Sequence, residues 1–244
     1  MSVPSDVLEF LRGYPNGSDN SRQSANLGFY KNTHRCQPDD LLIEELHENW
    51  LGDYNKLERK HGFIQWLFPI REHGMNYESQ PLQPHEIAGI KNDPDAMKRL
   101  LTSYKLMLDF YGMQLVSEET GAVNRSLPPR NYEPRYENLV YSSHNYLRIS
   151  RILKCLSEFG YERLNAGFLL HVLWEQSECK QLNVPRLSAS MDRWWANCIR
   201  NEEEREWIAG MIARVRGEPD FVFTRDMYNE ALARRERTGS FREE

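Results

Sequence analysis

The sequence predicts an all-α fold: a single irregular multi-helix domain of about seven to nine helices. Apolar residues recur every three to four positions through most of the chain, and helix start and stop signals bracket those stretches. Two-residue alternation, Asn-Gly turns between apolar runs and repeats at a fixed spacing are all absent, which argues against sheets and solenoids.

In chain order, a short apolar helix is expected from Val3 to Leu11, followed by Gly13 to Asn26, which has the Gly, Ser and Asn content of a linker. From Asp39 to Lys60 the residues Leu42, Ile43, Leu46, Trp50, Tyr54 and Leu57 predict one long amphipathic helix, with Asp39 and Asp40 favouring its N-terminus. The next helix is the best marked. Asp93 is its N-cap, Pro94 its first residue and Gly112 its stop. Val116 to Tyr132, with two adjacent prolines, predicts an exposed loop. Helical spacing returns at Ser143 and ends at Gly160, and three more helices are expected near Asn165 to Gln181, Ser188 to Arg216 and Thr224 to Arg237. The second of these has a break offered at Asn201, ahead of Glu202, Glu203 and Glu204. The domain plan is therefore 1-26 as short helix and linker, 27-217 as the helical domain, and 218-244 as a terminal helix and charged tail.

With 244 residues, 40% of them hydrophobic, the chain can bury a sizeable core. Its net charge of -5 supplies no global field for nucleic acid or anionic lipid, so nucleic-acid binding is not expected. The stretch from Leu164 to Trp174 lacks charge but is too short to span a bilayer, and the N-terminus has no basic flank ahead of an apolar run. An intracellular location follows as the expectation. Cys36, Cys155, Cys179 and Cys198 are widely spaced, which suits free thiols rather than a disulfide frame or a zinc site.

Catalytic motifs do not complete. His47-Glu48 lacks a second histidine because position 51 is Leu51, and His85-Glu86 fails likewise at Gly89. His34 and Cys36 have no nearby third ligand. No phosphate-cradling loop or nucleophile elbow occurs. The chain is read as a non-enzyme without cofactor or metal.

The run HGFIQWLFPIREHG, residues 61 to 74, sets Phe63, Ile64, Trp66, Leu67 and Phe68 nearly side by side. As a helix it is apolar nearly all round, which predicts burial on several sides. Pro69 should end the turn at Phe68, and Arg71, Glu72 and His73 should return the chain towards water.

That run, together with FYKN at Phe29 to Asn32, QPDDLLIEELHENWLGDY at Gln37 to Tyr54, LMLDFYG at Leu106 to Gly112 and SHNYLRISRILKCLSEFGYE at Ser143 to Glu162, resembles the opioid growth factor receptor conserved region. The resemblance extends from Leu27 to Trp174. It implies an all-helical, non-catalytic, receptor-like domain that binds a short opioid peptide, methionine enkephalin, in growth regulation. It also implies a place in the cytoplasm or nucleus, with perinuclear or peripheral membrane association and no transmembrane span. An intracellular adaptor that binds a protein partner through its surface, with no opioid peptide, is the alternative.

A zwitterionic peptide needs a carboxylate for its amino group, a cation for its carboxylate and apolar contact for its side chains. Glu44, Glu45 and Glu48 on the first long helix, the Arg71-Glu72 pair, and the flanking Trp50 and Trp66 have that chemistry. A second group, His144, Arg148, Arg151 and Lys154, is spaced to hold an anion or a partner, and its bland counterpart is a solvated or internally paired helix face. The Trp194-Trp195 pair points in two directions, so one ring is expected at the surface.

Overall fold

The computed structural model describes residues 3–242. Among them are thirteen α-helices and one two-stranded hairpin: α1 (Ser5–Leu11), α2 (Ala25–Tyr30), α3 (Ile43–Trp50), α4 (Tyr54–Arg59), α5 (Phe63–Leu67), α6 (Pro84–Lys91), α7 (Pro94–Phe110), β1 (Met113–Leu115), β2 (Val123–Arg125), α8 (Glu133–Tyr141), α9 (His144–Glu158), α10 (Glu162–Ser177), α11 (Pro185–Arg193), α12 (Glu202–Gly217) and α13 (Arg225–Thr238). The all-α class is as the sequence predicts. The helix count exceeds expectation because several helices of five to eight residues carry too few turns to show a period.

Two compact units can be distinguished, Tyr14–Phe110 and the remainder of the chain. In the first, α7 packs on α2, α3 and α6. The expected helix from Asp39 to Lys60 is in fact two, α3 and α4. Gly52 takes a positive φ of 79° that ends the first, and the Asp53 carboxylate accepts from the Lys56 amide to cap the second. The apolar period runs through both helices, which hides the break. Phe63, Ile64, Trp66, Leu67 and Phe68 are all buried, Trp66 Nε1 donates to the Gln37 carbonyl at 3.0 Å, and its ring packs 5.5 Å from Phe29. Burial of five such side chains contributes roughly 1.5 to 3 kcal/mol each. The helix stops at Phe68, whose φ of -135° is extended, one residue ahead of Pro69.

In the other unit α10 is the central helix. Every residue from Leu164 to Ser177 is buried, and α9, α12, α13 and β2 all rest on it. The uncharged run from Leu164 to Trp174 is thus part of an enclosed core helix. The expected loop from Val116 to Tyr132 instead contains β2, which pairs antiparallel with β1, Met113 opposite Arg125. Val123 is fully buried, and its amide donates to the Tyr228 hydroxyl oxygen at 2.7 Å. Three-residue strands are too short to display alternation. Asn201 caps α12 as expected, its side chain accepting from the Glu204 amide at 3.1 Å. Trp195 is buried and donates to the Tyr146 carbonyl, while Trp194 is partly exposed.

Candidate functional site

Helix α3 presents Glu44, His47 and Glu48 towards Asp95, Lys98, Arg99 and Thr102 of α7, around a cleft of about 230 Å³. Spacings of three and four residues on both helices put these groups on facing sides. Glu44 is held by Arg99, with Nη2 2.7 Å from Oε1, and accepts from Asn32 Nδ2 at 2.9 Å. Glu48 is exposed at the rim. His47 is buried, and its Nε2 stands 2.8 Å from Ser103 Oγ. Ser103 gives its own proton to the Arg99 carbonyl, so its oxygen accepts from His47 Nε2–H. Burial, opposed in part by Glu44, brings the His47 pKa down to about 4 and keeps the ring neutral. The cleft therefore offers carboxylates at its rim, two cations and a neutral imidazole.

The remaining residues named from the sequence lie elsewhere. Glu45 belongs to a local lock: it accepts from the Leu42 amide at 2.9 Å and pairs with Arg35 at 2.8 Å, and these contacts, the amide first, hold its carboxyl below the usual range. Trp50 and Trp66 are 4% and 1% exposed, so they are core residues and do not line the cleft. The Glu72 carboxylate accepts from the Tyr14 hydroxyl at 2.6 Å, and the Arg71 guanidinium lies over the Tyr14 ring and donates to the Gly17 carbonyl. Those four residues fasten two loops of the same unit, and of the seven residues expected from the sequence to contact a peptide only Glu44 and Glu48 meet in the cleft.

The second expected group does not form one exposed patch. His144 is exposed, but Arg148 is 5% exposed and donates to Asn145 Oδ1, and Lys154 is 2% exposed, with Nζ 2.9 Å from Asp6 Oδ2 and near the Phe10 ring. Arg151 is half-buried between them. The spacing of three residues is right for one face, but that face turns inward.

A groove of about 350 Å³ between α12 and α13 went unmarked in the sequence. Glu204, near the start of α12, pairs with Arg235, near the end of α13, at 2.8 Å, so the helices run antiparallel. Trp207, Met211 and Arg214 form one row and Met227, Ala231 and Arg234 the other, each with spacings of four and three. Phe223, Glu230 and Arg242 complete the lining. Such rows read in sequence as ordinary core stripes. Only the fold shows that α12 and α13 rest on α10 with an opening between them.

Among the described residues no group of three or more His, Cys, Asp or Glu side chains is placed to hold a metal ion, and no helix is long and apolar enough to cross a membrane.

The chain matches the family model described as the opioid growth factor receptor (OGFr) conserved region over residues 19–228. It is 40% identical over 202 residues to opioid growth factor receptor-like protein 1 of Rattus norvegicus, covering 82% of this chain and 42% of that protein. It is 41% identical over 186 residues to the opioid growth factor receptor of Mus musculus, covering 75% of this chain and 29% of that protein. For the Homo sapiens opioid growth factor receptor the identity is 39% over 186 residues, with shares of 75% and 27%. The chain spans less than half the length of these curated relatives. No solved structure matches it.

Proposed function

Because the chain belongs to the opioid growth factor receptor conserved-region family, we propose that it is a receptor-like, non-catalytic binding module whose ligand is a short opioid-like peptide with the chemistry of methionine enkephalin. The observation that carries this is its 41% identity, over three quarters of the chain, to a protein named as that receptor. A growth-regulatory role in the cytoplasm or nucleus, with peripheral rather than spanning contact to any membrane, belongs to the same proposal.

The α3–α7 cleft supports it chemically. Glu48 at the rim and Glu44 beside it suit a peptide ammonium, while Lys98 and Arg99 suit a carboxylate. Arg99 is already held by Glu44, so an incoming ammonium would share that carboxylate rather than meet a bare charge.

The test is a fluorescence-anisotropy titration of the purified chain with labelled methionine enkephalin. Saturable binding at micromolar concentration is the expected result, weakened at least about tenfold in Glu48→Lys, a substitution at an exposed position that should leave melting unchanged. No saturable binding would remove the peptide from this chain, and equal binding by Glu48→Lys would remove it from this cleft.

A further inference from the structure

We propose that the groove between α12 and α13 docks a linear protein segment in which acidic residues flank large apolar ones. This goes beyond the opioid peptide, lies in the other compact unit, and gives a physical site to the adaptor alternative.

The floor is apolar and adaptable. Trp207, Met211, Phe223 and Met227 line it, and methionine pairs repack around varied side chains. Val222, on the connection between the helices and next to Phe223, is exposed. A volume of about 350 Å³ is at the small end of ligand sites, enough for one or two side chains of a segment lying along the groove rather than an enclosed small molecule.

The rim selects the partner's charge. Three of the lining residues, Arg214, Arg234 and Arg242, are cationic and one, Glu230, is acidic, although the protein as a whole carries -5. Arg214 lies near the connection end, its guanidinium 3.7 Å from the centre of the Phe221 ring, and Arg234 and Arg242 lie at the opposite end, near Phe241 and the start of α12. Cations at both ends of an apolar floor complement acidic residues on both sides of an apolar anchor. The present partners of two of these cations are weak competitors. Arg214 with Glu218 and Arg242 with Glu206 are pairs in which every side chain is at least 44% exposed. Such pairs contribute little in water, and a guanidinium has five donors to share with an arriving carboxylate.

Met227 offers a selective test. It is the third residue of α13, and its amide already donates to the Thr224 hydroxyl oxygen. A glutamate in the first turn of α13 is favoured by the helix dipole, so Met227→Glu keeps the helix while replacing an apolar side chain of the groove floor with a charged one. A random peptide library is selected against the full chain, and the consensus peptide, carrying a fluorophore, is titrated against the wild type, Met227→Glu and the rim variant Arg214→Glu with Arg242→Glu. The expected consensus joins Asp or Glu to Leu, Phe or Met, and each variant should bind at least about tenfold more weakly with melting unchanged. The rim variant decides the matter should Met227→Glu fail to fold, since both its positions are exposed. A selection without an acidic and apolar consensus, or unchanged affinity in the folded variants, would overturn the proposal. So would a wild-type dimer that Met227→Glu turns into a monomer, because the occupant would then be a second copy of the chain.

Discussion

A Cβ added to Gly167 would stand 1.8 Å from the carbonyl oxygen of Gly121, so the loop of the β1–β2 hairpin rests directly on the backbone of α10. Gly121 itself has a φ of +77°, and a Cβ there would lie 2.1 Å from the Arg163 carbonyl oxygen. Two glycines far apart in sequence thus make one contact that no side chain can enter. Gly167→Ala and Gly121→Ala should each cost about 2 to 4 kcal/mol, through overpacking and, for Gly121, backbone strain as well. Gly210, inside α12, is the control: a Cβ there meets nothing within 4 Å, and Gly210→Ala should add about 0.5 to 1 kcal/mol through helix propensity. Thermal melts of the three variants check this, and a Gly167→Ala protein that melts like the wild type would refute the close contact.

That contact also marks where the sequence stops being informative. Helix α7 is legible because its signals are local: Asp93 Oδ1 accepts from the Ala96 amide at 3.1 Å, Pro94 needs no partner for an amide it lacks, and Gly112 takes a φ of +80°. Asn201 is legible for the same reason. The break at Gly52-Asp53 is hidden because the apolar period continues across it. Burial of Arg148 and Lys154 was not legible, because periodicity fixes which residues share a face and not where that face points. The same limit separates Glu44 and Glu48, which reach the cleft, from Trp50 on the same helix, which is core.

The Phe63 to Phe68 run should behave as packing. Trp66→Ala removes a buried ring and leaves the Gln37 carbonyl without its indole donor, although Asn76 Nδ2 still donates to that oxygen at 2.8 Å. The expected loss is about 3 to 5 kcal/mol, most of it from the cavity. Denaturant unfolding measures it, and a Trp66→Ala protein of unchanged stability that no longer binds enkephalin would place Trp66 in a site instead.

Stability should fall on mild acidification because of His47. Burial, the largest cause, lowers its pKa from the ordinary 6.5 to about 4, so between those values the unfolded chain binds a proton that the folded chain refuses. The contribution is complete above about pH 6.5 and is lost as the pH falls towards 4, and the full span amounts to something on the order of 3 kcal/mol. His171, fully buried on α10, shifts in the same direction through burial and the nearby Arg225 and Arg125. The two are separated by difference. His47→Gln retains a donor for Ser103 but does not titrate, so its stability should decline less steeply than that of the wild type between pH 6.5 and 4. Parallel curves would remove His47 as the cause.

An ion pair ties the hairpin to α10. Arg125 closes a two-pronged contact on Glu175, Nε to Oε1 at 2.7 Å and Nη2 to Oε2 at 2.6 Å, and Glu175 has no exposed side-chain surface. The Tyr136 hydroxyl donates to the same Oε1 at 2.9 Å, and burial followed by the Glu175 charge drives the phenol pKa well up, so that it stays a donor. The guanidinium also lies 4.5 Å from the centre of the Tyr132 ring. Arg125→Leu alone leaves a carboxylate enclosed without its cation and should cost about 3 to 5 kcal/mol. Replacing both partners, Arg125→Leu with Glu175→Leu, removes the stranded charge along with the pair, so it should cost markedly less than the single change despite altering more atoms. A double-mutant cycle by denaturant unfolding compares them. If the double variant proves as unstable as the sum of the singles, the two side chains act independently, and the pair is not what fastens the hairpin to α10.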